Sequence, residues 1–248
     1  MNEEYRTYSE KWLLLTKDCD VNTKWRASSL LEAMQTTAGN QCELLGAGKD
    51  EMDAMGVTWV LARSEIEINR WPGYGEEITI LTVPLTNRHF MFPRYFSFTD
   101  ADGKLIGQAH TAWSLFDISK RSIVTKVDEI ARLLPDNSDL GVPTVIPQQI
   151  RNIEGEETLT SYRPLYTDLD FNGHVNNTKY ADFLCNTLGL ETMKKCEFSR
   201  LAFNYKIEVT PETDLTLRLI RNDRQFVLIG EDGASEAFRI GGEMRERK

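Results

Sequence analysis

The chain has 248 residues, 41% hydrophobic and 27% charged, and carries a net charge of −9. That length accommodates two modest domains or one large one, and the acidic balance excludes the basic footprint of a nucleic-acid binder. No apolar run approaches the ~20 residues needed to cross a bilayer, and the opening Met1-Asn2-Glu3-Glu4 is too polar and acidic for a secretory or transit signal. A cytoplasmic protein without membrane contact is expected.

Taken in chain order, Asp18-Cys19-Asp20-Val21-Asn22 reads as a turn. Ser29-Leu30-Leu31-Glu32 has the form of a capping box, and Leu31, Met34, Ala38 and Leu45 share one face of a helix that should stop near Gly46 or Gly48. Leu61-Ala62 opens an alternating strand through Ile68, followed by a turn at Pro72-Gly73. Asp102-Gly103 marks a hairpin between strands at about 89–99 and 104–117. A short helix at about 127–134 leads into Leu134 to Pro147, a stretch rich in turn formers and without periodicity, which reads as a linker.

The second half repeats the order. Asp168-Leu169-Asp170-Phe171-Asn172 echoes the first turn. Asn176 or Asn177 can cap a helix whose stripe is Tyr180, Phe183, Leu184 and Leu188, ended by Gly189. Leu201-Ala202 opens a strand continuing through Asn204 to Val209, with a turn at Pro211, and Asp232-Gly233 marks a second hairpin between about 224–230 and 234–240. Each unit therefore reads as a strand, one long helix and several antiparallel strands. An α+β fold of two tandem units follows, each an antiparallel sheet wrapped around a central helix. The expected boundaries are 1–133 for the first domain, 134–150 for the linker and 151–248 for the second domain.

The four cysteines form no CxxC pair and read as reduced thiols, and the three histidines, His89, His110 and His174, have no metal-ligand spacing. No cofactor and no metal are expected.

The chemistry concentrates in Asp168 through Tyr180. Asp170, Asn172 and His174 alternate, Gly173 frees the backbone to turn, and a helix N-terminus follows at once. A carboxylate, an amide, an imidazole and an anion-stabilising helix end are the equipment of acyl transfer. A turn needs no histidine: the first copy continues Thr23-Lys24-Trp25, with neither glycine nor histidine. The extra residues of the second copy thus mark it as the chemical one.

The segment Asp168-Leu169-Asp170-Phe171-Asn172-Gly173-His174-Val175-Asn176-Asn177-Thr178-Lys179-Tyr180 resembles the signature of the acyl-ACP thioesterases (ACP, acyl carrier protein), built from two tandem hotdog domains. Trp59 to Arg63, Arg70-Trp71-Pro72, Ala112-Trp113 and Tyr205 to Glu208 resemble further landmarks of that family in the same order. The resemblance implies hydrolysis of fatty acyl-ACP, with Asp170, Asn172, His174 and Glu208 as catalytic residues. It departs at Val209, where plant members carry a cysteine; a cysteine nucleophile at that position is impossible here. The expected mechanism is therefore carboxylate-centred, with Asp170 or Glu208 acting as nucleophile or as base toward water. Backbone N–H groups of Val175 and Asn176 are the expected oxyanion donors. Leu31, Met34, Ala38, Trp59 and Phe90 are expected to line an acyl channel in the first domain. An acidic carrier protein would need a local basic patch, for which Arg88, Arg94, Arg163, Lys179 and Arg200 are candidates. Further pairing into a homodimer is compatible with such units. The rival readings are a hotdog acyl-CoA thioesterase and a non-catalytic acyl-binding module.

Overall fold

A computed structural model describes residues 5–247; Met1 to Glu4 and Lys248 lie outside it. The first half contains β1 (Tyr8–Leu13), α1 (Ala27–Leu44), α2 (Lys49–Ala54), β2 (Val57–Ile68), β3 (Glu77–Pro84), β4 (Phe92–Thr99), β5 (Leu105–Asp117), β6 (Ser122–Ile123) and α3 (Asp128–Ala131). The second contains β7 (Glu156–Tyr162), α4 (Lys179–Leu188), α5 (Leu190–Lys195), β8 (Cys196–Tyr205), β9 (Leu215–Arg221), β10 (Gln225–Asp232) and β11 (Ser235–Glu246).

All strands join one 11-stranded sheet in the order β1-β3-β4-β5-β2-β8-β11-β10-β9-β7, with β6 beside β5. Read from its centre outwards, the order is the same in both directions: β2 matches β8, β5 matches β11, and so on to β1 and β7. The halves meet where β2 pairs with β8, from Arg63 opposite Asn204 to Glu67 opposite Arg200. The long helices α1 and α4 lie side by side, Ser28 donating to Asp182 Oδ1 at 2.6 Å. One continuous core serves both: Leu30, Leu31 and Met34 from α1, Phe183 and Leu184 from α4, and Ile66, Phe96, Phe203 and Phe238 from the sheet. The burial of that shared apolar face outweighs helix propensity, which is modest on its own.

The repeated turns superimpose bond for bond. Asp18 Oδ2 accepts the Leu15 N–H at 2.9 Å, as Asp168 Oδ2 accepts that of Leu165 at 2.7 Å. The carbonyls of Asp18 and Asp168 accept the N–H of Arg26 and of Asn176, both at 2.8 Å. Asp20 Oδ1 holds the N–H groups of Asn22 and Lys24 at 2.8 and 3.0 Å, and Asp170 Oδ1 those of Asn172 and His174 at 2.8 and 3.3 Å. The turn demands a positive φ at its centre, 79° at Gly173 and 59° at Thr23. Glycine adopts that conformation freely and threonine does so at a cost.

Several elements differ from the sequence expectation. Helix α1 begins two residues before Ser29, with Arg26 as its N-cap and no side-chain cap. Ser29 instead donates to Asp18 Oδ1 at 3.1 Å. Helix α4 begins at Lys179; Asn176 Oδ1 accepts the Thr178 N–H and hydroxyl, each at 3.0 Å, ahead of it. The strand expected through Val209 ends at Tyr205. The N–H groups of Lys206 and Ile207 converge on one acceptor, the Ala237 carbonyl, at 2.9 and 3.0 Å, so the ladder cannot continue. The irregular stretch after α3 is tied to the sheet face turned away from the core. Ile150 N–H donates to Asn204 Oδ1 at 2.9 Å, and Arg63 Nη1 to the Pro147 carbonyl at 3.2 Å.

The Asp168 carboxylate is buried and also accepts the Tyr162 hydroxyl at 2.6 Å. Hydrogen bonds to a buried charge are worth about 1.5–3 kcal/mol each. Asp168→Ala should lower the unfolding free energy by about 2–3 kcal/mol, and Asp18→Ala, at a more exposed site, by less; urea titration of both variants measures the difference.

Candidate active site

After Tyr205 the chain leaves the sheet and runs alongside the second turn. The Val209 carbonyl accepts the Val175 N–H at 2.8 Å. This bond locks the two loops together and places His174 Nε2 3.6 Å from Glu208 Oε2. Arg121, on the turn between β5 and β6 with a φ of 51°, brings its Nη2 to 3.3 Å from the same oxygen. A carboxylate on one half is thus held between an imidazole of its own half and a guanidinium of the other. Beneath them lies Tyr180, in the first turn of α4 and buried. Burial pushes its phenol pKa up, and the charges of Asp170 and Glu208 raise it further. Tyr180 therefore stays protonated while feeling both carboxylates.

The two copies differ in what occupies their polar atoms. In the first, Asp20 Oδ2 is met by Arg247 at 3.2 Å and by the Asn22 amide at 3.2 Å, and that amide also donates to the Met193 carbonyl at 2.9 Å. In the second, Asp170 Oδ2 and the Asn172 side chain have no hydrogen-bond partner among the described residues. Both copies spend Oδ1 on the turn, so the fold needs that oxygen; only the second leaves Oδ2 and the amide available.

The structure brings Asp170, Asn172, His174 and Glu208 to one site, but Glu208 sits on a loop rather than a strand. It does not support the expected oxyanion donors. The Val175 N–H is committed to the Val209 carbonyl on the neighbouring loop, and that of Asn176 to the Asp168 carbonyl of its own turn, each at 2.8 Å. The Asn177 N–H has no partner among the described residues.

Of the expected channel residues, Leu31 and Met34 line a narrow cavity together with Leu61, Trp113, Asn177 and Tyr205. Ala38 is buried in the core and does not reach it. Trp59 shares the inward face of β2 but lies past Leu61, packed edge-on against Phe92 at 4.9 Å with its indole N–H on the Ala47 carbonyl at 3.0 Å. Phe90 is exposed at a turn between β3 and β4, beside His89 with its φ of 55°, and cannot line the channel.

The basic residues proposed for docking are also redistributed. Arg94 is buried under α1, and Arg200 pairs with Glu65 at 2.6 Å. Arg163 and Lys179 lie 3.6 and 3.7 Å from Asp214 and Asp182, and Arg88 is exposed far along the first half. Sequence reasoning missed Arg121 and Tyr180. Arg121 lies 87 positions before Glu208, beyond any local spacing, and Tyr180 counts as apolar in a helical stripe. Cys185 is no alternative nucleophile: burial, with help from Asp182 and Asp20, pushes its thiol up to about 12.

Two family models match the chain: the acyl-ACP thioesterase N-terminal domain over residues 5–134 and the acyl-ACP thioesterase C-terminal domain over residues 152–234. A chloroplastic acyl-[acyl-carrier-protein] hydrolase of Cuphea viscosissima is 22% identical over 213 residues, covering 82% of this chain and 52% of its own length. The chloroplastic oleoyl-acyl carrier protein thioesterase 2 of Arabidopsis thaliana is 23% identical over 252 residues, covering 94% and 69%. The chain spans about half the length of the first of these relatives. Among solved structures, an acyl-ACP thioesterase from Bacteroides thetaiotaomicron superposes with a TM-score of 0.86 at 21% identity, over 99% of this chain and 100% of that one. The 12:0-ACP thioesterase of Umbellularia californica superposes with a TM-score of 0.82 at 19% identity, over 97% and 98%. The tandem hotdog fold expected from the sequence is borne out.

Arg121 reaches the site only through its 3.3 Å contact with Glu208. In the acyl-thioester hydrolysis that the resemblance implies, Arg121→Gln should lower kcat about fivefold with little change in KM, as fits an exposed ion pair worth about 1 kcal/mol. Steady-state kinetics of the variant test this; an unchanged kcat would remove Arg121 from the site.

Proposed function

This chain belongs to the acyl-ACP thioesterase family, and from its site we propose that it hydrolyses the thioester between a fatty acyl chain and acyl carrier protein. The observation that carries the reading is the difference between the copies. The first turn has its carboxylate and amide plugged by Arg247 and Met193, whereas the second leaves the same atoms uncommitted beside His174 and Glu208. A non-catalytic binding module has no use for that divergence.

Asp170 Oδ2, left free by a turn that uses Oδ1, takes a proton from the attacking water. The hydroxide adds to the thioester carbonyl, and the oxyanion is held by the Asn172 amide and the Asn177 N–H. On collapse the carbon–sulfur bond breaks, a protonated His174 beside Glu208 gives its proton to the leaving thiolate, and the proton taken up by Asp170 returns to the imidazole through solvent. A thiol is acidic enough that its departure needs modest help. The first half receives the acyl chain in the cavity between α1 and the sheet, where Leu31, Met34, Leu61, Phe96 and Trp113 form the apolar part of the lining. Arg121, paired with Glu208, and Lys49, paired with Asp53 and 5.8 Å from the centre of the exposed Phe171 ring, stand at the site's rim as exposed ion pairs for which an acidic carrier can compete.

Asp170→Asn keeps the turn oxygen and removes the base, so thiol release from acyl-ACP should fall by about 10²–10⁴ with unchanged circular dichroism. Near-normal turnover in the folded variant would sink the mechanism. In the same assay, acyl-ACP should be preferred over acyl-CoA of equal chain length, and its kcat/KM should fall steeply with salt. Equal rates and a flat salt response would favour acyl-CoA as substrate. Met34→Phe narrows the cavity and should shift the fatty acids released in a bacterial host toward shorter chains, by about 1–3 kcal/mol of discrimination per methylene; mass spectrometry of the released acids reads the shift.

A further inference from the structure

One row of directly opposed residues runs across the inward face of the whole sheet. In the second half it is Phe203, Ile240, Leu228 and Leu219, all apolar and buried. Where it crosses into the first half, Phe203 faces Ser64, Ser64 faces Thr111, and Thr111 faces Arg94. All three are buried, Ser64 at 1% exposure. Asn69 and Arg70 meet the Ile106 carbonyl as Lys206 and Ile207 meet that of Ala237, so the second-half equivalents of Ser64, Thr111 and Arg94 are Leu201, Gly242 and Phe226, all buried and without a polar side chain.

The polar part of the row lies at the acyl cavity. Ser64 and Thr111 line it with Asn177, Thr178 and Tyr205. Ser64 Oγ has no hydrogen-bond partner among the described residues. Tyr205 lies beside it, and the Ser64 hydroxyl offsets part of the rise that burial imposes on the Tyr205 phenol. The Tyr205 proton, however, is given to the Asn177 carbonyl at 3.1 Å, and Ser64 does not meet the phenol oxygen in hydrogen-bonding geometry. Thr111 Oγ1 accepts the Trp113 indole N–H at 3.0 Å and gives its own proton to no described acceptor. Beyond Thr111, the buried Arg94 donates to Gln41, to Thr82 at 3.0 Å and to the Cys42 sulfur at 3.4 Å, with no carboxylate in ion-pair range among the described residues.

An unsatisfied hydroxyl in a buried wall is a cost that an unsubstituted alkyl chain does not relieve, and it discriminates strongly in favour of a ligand that pairs with it. The cavity opens next to the reacting centre: Asn177 follows His174 by three positions and Tyr205 precedes Glu208 by three.

We infer that this cavity is built for an acyl chain carrying a hydroxyl close to the thioester, a 3-hydroxyacyl chain, with Ser64 Oγ and the Thr111 hydroxyl as its partners. The inference rests on the thioesterase reading and narrows its substrate class. A reduction of a 3-oxoacyl thioester is the class of reaction that supplies such a substrate.

The test compares 3-hydroxydecanoyl-ACP with decanoyl-ACP in wild-type and Ser64→Ala proteins. The wild type should favour the hydroxylated chain by tenfold or more in kcat/KM. Ser64→Ala should lower that preference about tenfold, the loss falling on the kcat/KM of the hydroxylated chain. A wild type indifferent to the hydroxyl, or a variant that loses both substrates equally, overturns the inference. Calorimetric binding of 3-hydroxydecanoate against decanoate reads the same site without catalysis, so a failed hydrolysis reading is distinguished from a failed hydroxyl reading. The unfolding midpoint separates a ligand site from a structural one. It should hold or rise in Ser64→Ala if the hydroxyl is unpaired in the free protein. A fall would assign Ser64 to a buried water and count against the proposal.

Discussion

One backbone hydrogen bond organises the chemistry of this protein, from the Val175 N–H to the Val209 carbonyl at 2.8 Å. It ties the elaborated turn to the loop that leaves β8. Without it, His174 and Glu208 would sit on separate irregular segments, and loops hold side chains less well than sheet or helix does. The bond is possible because β8 breaks off at Tyr205, where Lys206 and Ile207 both turn to the Ala237 carbonyl. An unbroken strand would have spent the Val209 carbonyl on its ladder. The same departure carries Glu208 within reach of Arg121, so the pairing of β2 with β8 that joins the halves also joins their contributions to the site.

The duplicated turn separates what folding requires from what chemistry requires. Asp18 with Asp168, and Oδ1 of Asp20 with that of Asp170, make the same bonds in both copies. Those bonds satisfy N–H groups that would otherwise be unpaired where each turn feeds its helix. Divergence is confined to atoms the turn does not use. Asp20 Oδ2 has acquired a permanent cation in Arg247, which fixes the C-terminal strand to the first half. Asp170 Oδ2 has not, and four residues on in the turn stands an imidazole instead of the lysine at position 24. A carboxylate cannot be both a buried salt-bridge anchor and a free base, and the two copies divide those tasks.

The architecture was legible in the sequence wherever it is carried by local chemistry. The repeated Asp-x-Asp-x-Asn turns, the alternation in the strands and the glycines of the hairpins, with φ of 77° at Gly103 and 58° at Gly233, are such cases. Helices α2 and α5 were not, because each is six residues long; α2 buries only Met52 and α5 buries none, so neither has a periodic stripe. The start of α1 was misplaced because its N-cap is anchored through Arg26's own backbone rather than by a side chain. At the site, Asp170, Asn172 and His174 are neighbours in sequence and could be read directly; Glu208 needed the family resemblance, and Arg121 needed the tertiary fold. The oxyanion assignment to Val175 and Asn176 failed for a definite reason: residue identity says nothing about whether a backbone N–H is already bonded.

The contrast between the halves extends from the turn into the core. A duplicated unit that only needed to close a hydrophobic interior would repeat Leu201, Gly242 and Phe226 of the second half at the equivalent positions of the first. Placing Ser64, Thr111 and Arg94 there forfeits apolar burial and requires Gln41 and Thr82 to satisfy the guanidinium, whose pKa burial drives downward. The second half could keep its hydrocarbon row because its own polar groups project outward at the turn, toward water and the reacting bond. The first half carries its polarity inside, at the level where an acyl chain would pass α1. A turn that leaves reactive atoms without partners and a core that tolerates unpaired ones are two uses of the same physical reserve: stability supplied by the shared core beneath both helices and drawn on where function needs an atom left unsatisfied.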